Sequence, residues 1–329
     1  MVTLLAAGWL LSGHLVSQTP PLAVAAGRTA AAFLTLTLIA ALTPRTRAAA
    51  RAGAARPRAV ALLAFLGFFV YYSGTLLGVD RIGVSGVGLI VCLLPCLTFV
   101  IGVAAFREQS TVRKAGGTLI AVSAAVGYAL ADGGAAGGGP GAGGTGTLAA
   151  GLLLALAGTF TYALYGYVYR QRMADIPPLA ALPAITGAGA AMLAPAALFL
   201  TPLDGVGPGD WAGIALLGAV LTAPVFLISH ALILLRGPLF TSAVALVVPL
   251  LIRLGEWALG WDTAPGPLVL ALLGLCLAGV WLTARARSAP PAEGGGGPAG
   301  PARPLPAHPA DPAHSAEHAD PAPRTRGTP

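Results

Sequence analysis

The sequence predicts an all-α polytopic membrane protein, with ten transmembrane helices arranged as two inverted five-helix repeats. Three observations predict it. Of 329 residues, 56% are hydrophobic and only 9% are charged, where a soluble domain carries about 25% charged residues. The apolar residues fall into ten long stretches. The basic residues fall almost entirely in alternate connections between those stretches.

Crossing the hydrocarbon takes about 20 apolar residues in a helix. The stretches that meet this are 2–19, 22–43, 59–79, 82–106, 115–131, 147–169, 179–200, 211–235, 237–260 and 266–284. With the N-terminus inside, the inner connections hold Arg45, Arg47, Arg51, Arg56 and Arg58, then Arg107, Arg113 and Lys114, then Arg170 and Arg172, then Arg236. Arg285 and Arg287 follow the last span. The outer connections hold Asp80, Arg81, Asp132, Asp204, Asp210 and Asp262. Thirteen basic residues thus lie inside against one outside, which satisfies the positive-inside rule and puts both termini in the cytoplasm and the chain in the plasma membrane. Residues 4–17 followed by Ala23-Val24-Ala25 also resemble a cleaved signal peptide. No basic residue precedes that apolar run, however, and its removal would leave an odd number of spans. It is therefore taken as the first span.

Composition also excludes some functions. The net charge of +7 is almost all arginine, dispersed in short connections and not gathered on a soluble basic face, so nucleic acid is not the expected partner. Cys92, Cys96 and Cys276 all lie in apolar runs with no disulfide or zinc spacing. The glycine-rich run 133–146 lacks the Gly-Lys-Ser/Thr of a phosphate-binding loop. Residues 288–329 are too rich in Pro, Ala and Gly to bury a core, and His308, His314 and His318 there read as part of a solvated tail and not as a metal site. No cofactor is expected. The organisation is then a first five-helix repeat (1–131), a Gly-rich outer linker (132–146), a second five-helix repeat (147–284) and a disordered cytoplasmic tail (285–329).

Five spans on each side of the linker invert the second half relative to the first. The sequence carries an echo of this. Pro95 is followed thirteen residues later by Glu108, and Pro249 thirteen residues later by Asp262. Small residues follow in matching phase, Gly117 with Ala125-Val126 and Ala271 with Gly279-Val280. Inverted repeats accompany many alternating-access carriers, whose substrate site lies between the halves.

Over about residues 4–284 the chain resembles the EamA-type members of the drug/metabolite transporter superfamily. The resemblance rests on PPLAVAAGR with Arg28, on SGVGLIVCLLPCLTFVIGVAAFRE with Pro95 and Glu108, on GTFTYALYGYVYRQR with Tyr162, and on VVPLLIRLGEWALGWD in the ninth span. It implies a ten-helix carrier, commonly an exporter of amino acids, metabolites or toxic compounds. Two departures touch expected cavity positions. The family's usual Trp-Gly pair in the first span is replaced by Leu11-Ser12-Gly13-His14. The Gly-Glu that usually ends the ninth span falls at Asp262, while Arg253 and Glu256 lie within the helix.

Only Arg28, Arg253 and Glu256 carry charge inside the apolar stretches. An intramembrane charge is expensive and faces a cavity or a partner. At ~1.5 Å per residue, Glu256, His14, Arg28 and Arg253 sit roughly 6–10 Å below the outer boundary. Arg253 and Glu256 share a helix face at i,i+3 and can pair. Two roles stand for them: a structural ion pair, or a Glu256 that meets the cavity and takes a proton or a cationic group. Arg28 either locks its helix to its neighbours or binds an anion. His14 and His230 are titratable, or simply hydrogen-bonded in packing. Tyr71, Tyr72, Tyr162 and Tyr165 suit a cavity wall or an interface belt, with Tyr162 the substrate candidate. Pro95 and Pro249 are expected mid-helix kinks. Glu108 and Asp262 are expected to anchor helix ends.

The expected function is a secondary transporter, without ATP hydrolysis, that exports a small metabolite, amino acid or drug-like compound, with protons as the coupling ion. The alternatives are a membrane-embedded transferase-type enzyme, and a non-transporting membrane subunit or sensor. An enzyme would call for an acid/base or metal cluster near one face, and the inner connections offer arginines with only Glu108 and Asp175. Oligomeric state has no signature in the sequence.

Overall fold

A computed structural model describes residues 1–108, 111–133, 145–260 and 264–285. All of the regular structure in them is helical. In chain order it comprises α1 (Val2–Val16), α2 (Pro21–Leu42), α3 (Pro44–Ala54), α4 (Pro57–Ala64), a π-helical segment π1 (Phe65–Val70), α5 (Tyr71–Val91), α6 (Leu94–Phe106), α7 (Val112–Gly133), α8 (Thr145–Arg172), α9 (Pro178–Leu200), α10 (Pro208–Leu216), a second π-helical segment π2 (Leu217–Thr222), α11 (Ala223–Arg236), α12 (Pro238–Ala245), α13 (Val248–Ala258) and α14 (Pro267–Arg285). Residues 134–144 of the anticipated linker and 286–329 of the tail lie outside the described residues, as do Asp262 and the side chain of Glu256.

Among the described residues, seven helical runs are long and apolar enough to cross a membrane: Pro21–Leu42, Pro57–Ile82, Gly146–Arg172, Pro178–Leu200, Pro208–Arg236, Pro238–Gly255 and Pro267–Arg285. Val2–Val16 and Leu94–Phe106 are shorter apolar helices. This is a multi-pass membrane protein. Proline opens many of the helices, including α2, α3, α4, α9, α10, α12 and α14, because the first turn needs no N–H from that residue and Pro presets its φ. In α5 the chain turns back sharply. A Cβ on Gly78 would meet Val87 Cγ2 at 3.1 Å, whereas nine residues of straight helix would separate them by ~13 Å.

Two sequence expectations change. The basic connection after α2 is itself a helix, α3, whose Gly53 lies against the backbone of Ala180 and Ala181. Pro95 and Pro249 are not mid-helix kinks. They stand in the first turns of α6 and α13, after breaks at Cys92-Leu93 and Leu246-Val247. A proline removes an N–H and crowds the preceding turn, so it is best tolerated where a helix restarts.

Small residues bring helices into backbone contact. In the seam of α5 with α8, a Cβ on Gly74 would lie 2.5 Å from the Leu154 carbonyl and 3.2 Å from Gly158 N. In the seam of α7 with α14, a Cβ on Gly117 would lie 2.8 Å from the Gly279 carbonyl, and one on Gly279 would lie 2.7 Å from the Gly117 carbonyl. Close approach of this kind substitutes for the hydrophobic drive that lipid does not provide. Hydroxyls inside the bundle turn back onto their own helix: Thr29 Oγ1 donates to Ala25 O at 2.7 Å, Thr98 Oγ1 to Leu94 O at 2.7 Å and Thr186 Oγ1 to Leu182 O at 2.7 Å. Each polar group is thereby satisfied without water.

Candidate functional site: a cavity between the helices

The two helix breaks, the end of π2 and the residues that follow π1 line one cavity of about 290 Å³. Arg28, Tyr71, Tyr72 and Cys92 line it from the first part of the chain. Tyr162, Tyr165, Thr222, Phe226, Ser229 and Leu246 line it from the second. Cys92 and Leu246 are themselves residues of the two breaks.

Arg28 is held where α1, α2, α5 and π2 meet. Its Nη1 donates to Ser12 Oγ at 3.4 Å and its Nη2 to Thr222 Oγ1 at 3.2 Å. Its guanidinium carbon lies 4.8 Å from the centre of the Tyr72 ring, within the range of a cation–π contact. Ser12 and Thr222 pass their own protons to backbone, at Gly8 O (2.6 Å) and Leu217 O (2.7 Å). The second of these spans five residues, the register of the π segment, so Thr222 satisfies a carbonyl of π2 and presents a lone pair to Arg28 at once. Gly218 makes the arrangement possible. A Cβ there would strike the Arg28 carbonyl, Ala31 Cβ and Ala32 N. Arg28 Nε is buried with no hydrogen-bond partner.

An aromatic wall lines the same cavity. Tyr71 and Tyr162 stack at 4.4 Å between ring centres, and Tyr162 and Tyr165 at 5.7 Å with planes 7° apart. Behind the wall, Tyr165 is pinned. His230 Nδ1 donates to Phe226 O at 2.6 Å, which leaves Nε2 as the acceptor for the Tyr165 hydroxyl. Both residues are 1% exposed. Phe68 of π1 presses edge-on against Tyr165 and Phe226, at 6.3 and 5.3 Å. Gly67 of π1 admits the Tyr165 ring, which a Cβ would meet at 2.5 Å.

The end of the molecule that carries the basic connections is tied twice. Tyr167 Oη donates to Glu108 Oε2 at 2.6 Å, and Arg170 Nη1 lies 3.7 Å from Glu108 Oε1. Arg107 reaches φ 52 at the end of α6 and turns Glu108 into that position, with Glu108 N donating to Gly102 O at 2.9 Å. Glu108 thus anchors a helix end, as its position in the sequence suggests. The second tie joins the α3–α4 junction to the α8–α9 connection. Arg56 Nη1 donates to Arg172 O at 2.6 Å and to Asp175 Oδ1 at 2.8 Å, and Arg56 Nη2 to Asp175 Oδ2 at 2.5 Å. The hydrogen bond from Arg56 holds the Asp175 carboxyl below the usual carboxylate range.

Not all of the sequence candidates meet here. Arg28 and Tyr162 are on the cavity wall. His14 is not: Ser12 and Leu15 occupy the packed face of α1, and His14, turned away from them, is exposed. A nearly uniform apolar helix offers no polar face from which that could be read. Arg253 is buried on α13 at 6% exposure but off the cavity wall, where Val248 and Ile252 of the same helix sit. Sequence reasoning gave no role to Thr222, Phe226 or Ser229. Nothing in the sequence marks Thr222 as the partner of Arg28, because the π segment that aims it has the composition of an α turn.

Residues 1–130 match the EamA-like transporter family. The EamA match covers α1 to α6 and nearly all of α7, and so includes Arg28, Tyr71, Tyr72 and Cys92 of the cavity wall. A solved crystal structure shares the fold, with a TM-score of 0.68 and 19% sequence identity over 86% of this chain and 97% of its own. No curated protein matches the chain.

Proposed function

We propose that the protein is a secondary transporter that exports a small metabolite, amino acid or drug-like compound across the plasma membrane. It works by alternating access, as ten spans in two inverted five-helix repeats, with protons as the coupling ion and both termini cytoplasmic. The observation that carries this reading is the pairing of irregular backbone around the cavity. A π segment interrupts the helix that begins at Pro57 and the helix that begins at Pro208. A break precedes Pro95, and another precedes Pro249, at the same distance. Two sets of matching irregularities, three of which contribute residues to one cavity while the fourth ends just before Tyr71 on its wall, are what a pair of inverted repeats would provide. Discontinuous helices near the substrate site recur in transporters, where irregular backbone is tolerated only beside protein or a cavity. Hinges placed in both halves let the cavity face one side and then the other.

The test is solute flux in proteoliposomes, with an imposed proton gradient and a mixed metabolite load. We expect saturable movement that follows the gradient and is lost in Arg28→Gln while the protein stays folded. Folded, oriented protein that moves nothing from a broad metabolite mixture would favour the non-transporting reading. A single cysteine introduced at Gly138 should label only from outside, and labelling from the cytoplasm would overturn the orientation.

A further inference from the structure

We infer that the cavity takes a planar aromatic monocarboxylate that carries no cationic group, with its carboxylate on Arg28 and its ring against the tyrosine stack. The inference rests on the transporter reading for its purpose but not for its geometry.

Among the described residues, Arg28 is a cation held only by neutral groups. Its two described hydrogen bonds, at 3.2 and 3.4 Å, go to hydroxyls, and its Nε is buried without an acceptor. Charge-assisted bonds from a guanidinium to a carboxylate are shorter and about twice as strong, and they use two donors at once. A carboxylate would supply the acceptor that Nε lacks and would compete with Ser12 and Thr222 for the other donors. The second observation is independent. Tyr71, Tyr162 and Tyr165 form a run of stacked rings on the same cavity, which favours a flat π-system. Such rings would also welcome a quaternary cation. Arg28 decides against that, because it is the only charged side chain among the described residues of the cavity wall. The same fact leaves the ammonium of an amino acid without an acidic side chain there. At about 290 Å³ the cavity is at the small end of ligand pockets, ~300–1,000 Å³, which suits one ring with a short acidic arm.

The test is equilibrium binding to the full chain in nanodiscs by titration calorimetry, with empty discs as the control. The probes are 4-hydroxycinnamate, its methyl ester, phenylalanine, phenyltrimethylammonium and decanoate. We expect saturable binding of 4-hydroxycinnamate, at least tenfold weaker binding of every other probe, and at least a tenfold loss for 4-hydroxycinnamate in Arg28→Gln. Equal binding of the ester removes the role of charge, equal binding of decanoate removes the role of the rings, and equal or tighter binding of phenylalanine or the cation overturns the ligand class. Should Arg28→Gln not fold, the probe series on the unaltered protein decides alone. Binding of the acid without flux would sink the transporter reading and leave the site. Flux of another solute without binding of the acid would sink the site and leave the transporter.

Discussion

The two π segments share one backbone irregularity and use it for opposite purposes. In π1, with sequence FLGFFV, the widened turn is filled by aromatic packing: Phe68 is 2% exposed and meets Tyr72, Tyr165 and Phe226 edge-on. In π2, with sequence LGAVLT, it is tied to a charge: Thr222 takes the Leu217 carbonyl and receives Arg28. Their glycines differ in the same sense. Gly67 makes room for a ring, whereas Gly218 makes room for backbone. Two similar backbone irregularities therefore serve one asymmetric site. One supplies shape, and the other supplies a partner for the cation on α2.

The largest effect should come from adding a methyl group to each glycine. At Gly218→Ala the new Cβ meets the Arg28 carbonyl and Ala32 N, and α2 has to move as a whole. Overpacking of this kind costs about 1–3 kcal/mol and sometimes more, and backbone contact places it at the upper end. At Gly67→Ala the obstacle is the Tyr165 ring, which has a torsion to turn, so the loss should be smaller by about 1 kcal/mol. Thermal unfolding of the purified variants checks the order. Equal losses, or a larger loss at Gly67, would break the distinction between a segment that seats a ring and one that seats a helix.

A smaller effect should come from Tyr165→Phe. The ring remains, so the packing of π1 survives, but the buried His230 Nε2 loses its donor. Leaving a buried acceptor unsatisfied costs about 1–3 kcal/mol. The variant should melt lower than the parent, yet bind 4-hydroxycinnamate within about threefold of it, because the stacked faces are retained. A large loss of binding with unchanged melting would move the hydroxyl from support of the wall to contact with the ligand.

These residues also mark what the sequence made legible. Arg28 stood out because a lone charge in an apolar run must meet a cavity or a partner, and Tyr162 because of a family resemblance. The apolar stretches were readable from length and hydropathy, whereas the helix starts at Pro95 and Pro249 were misread as kinks. The π segments were not, since a π turn has the composition of an α turn and differs only in which carbonyl each N–H reaches. The Tyr165–His230 bond joins residues 65 apart in sequence and leaves no local pattern. α3 was missed because PRTRAAARAGA is too short and too basic to read as a span, and it packs against α9 through small residues such as Gly53. His14 was misassigned because hydropathy gives depth but not the face of the helix.

The smallest expected effect is confined to one side of the comparison. Arg56 precedes α4, the helix that runs into π1, and its tie to Asp175 is exposed, so the pair adds little to global stability. Its sign with pH is nevertheless defined. The Asp175 carboxyl is held below its ordinary range in the folded protein, so the tie contributes fully above that range and is lost as pH falls through the lowered value. Hydrogen exchange should then show Pro57–Ala64 losing protection on acidification while Pro208–Leu216, the helix that leads into π2, keeps it. Asp175→Asn should reproduce the change at neutral pH and remove its dependence on acid. Parallel loss in both helices would mean that the two π segments are mechanically coupled through the bundle, and that the division between the packed side and the charged side is one of chemistry alone.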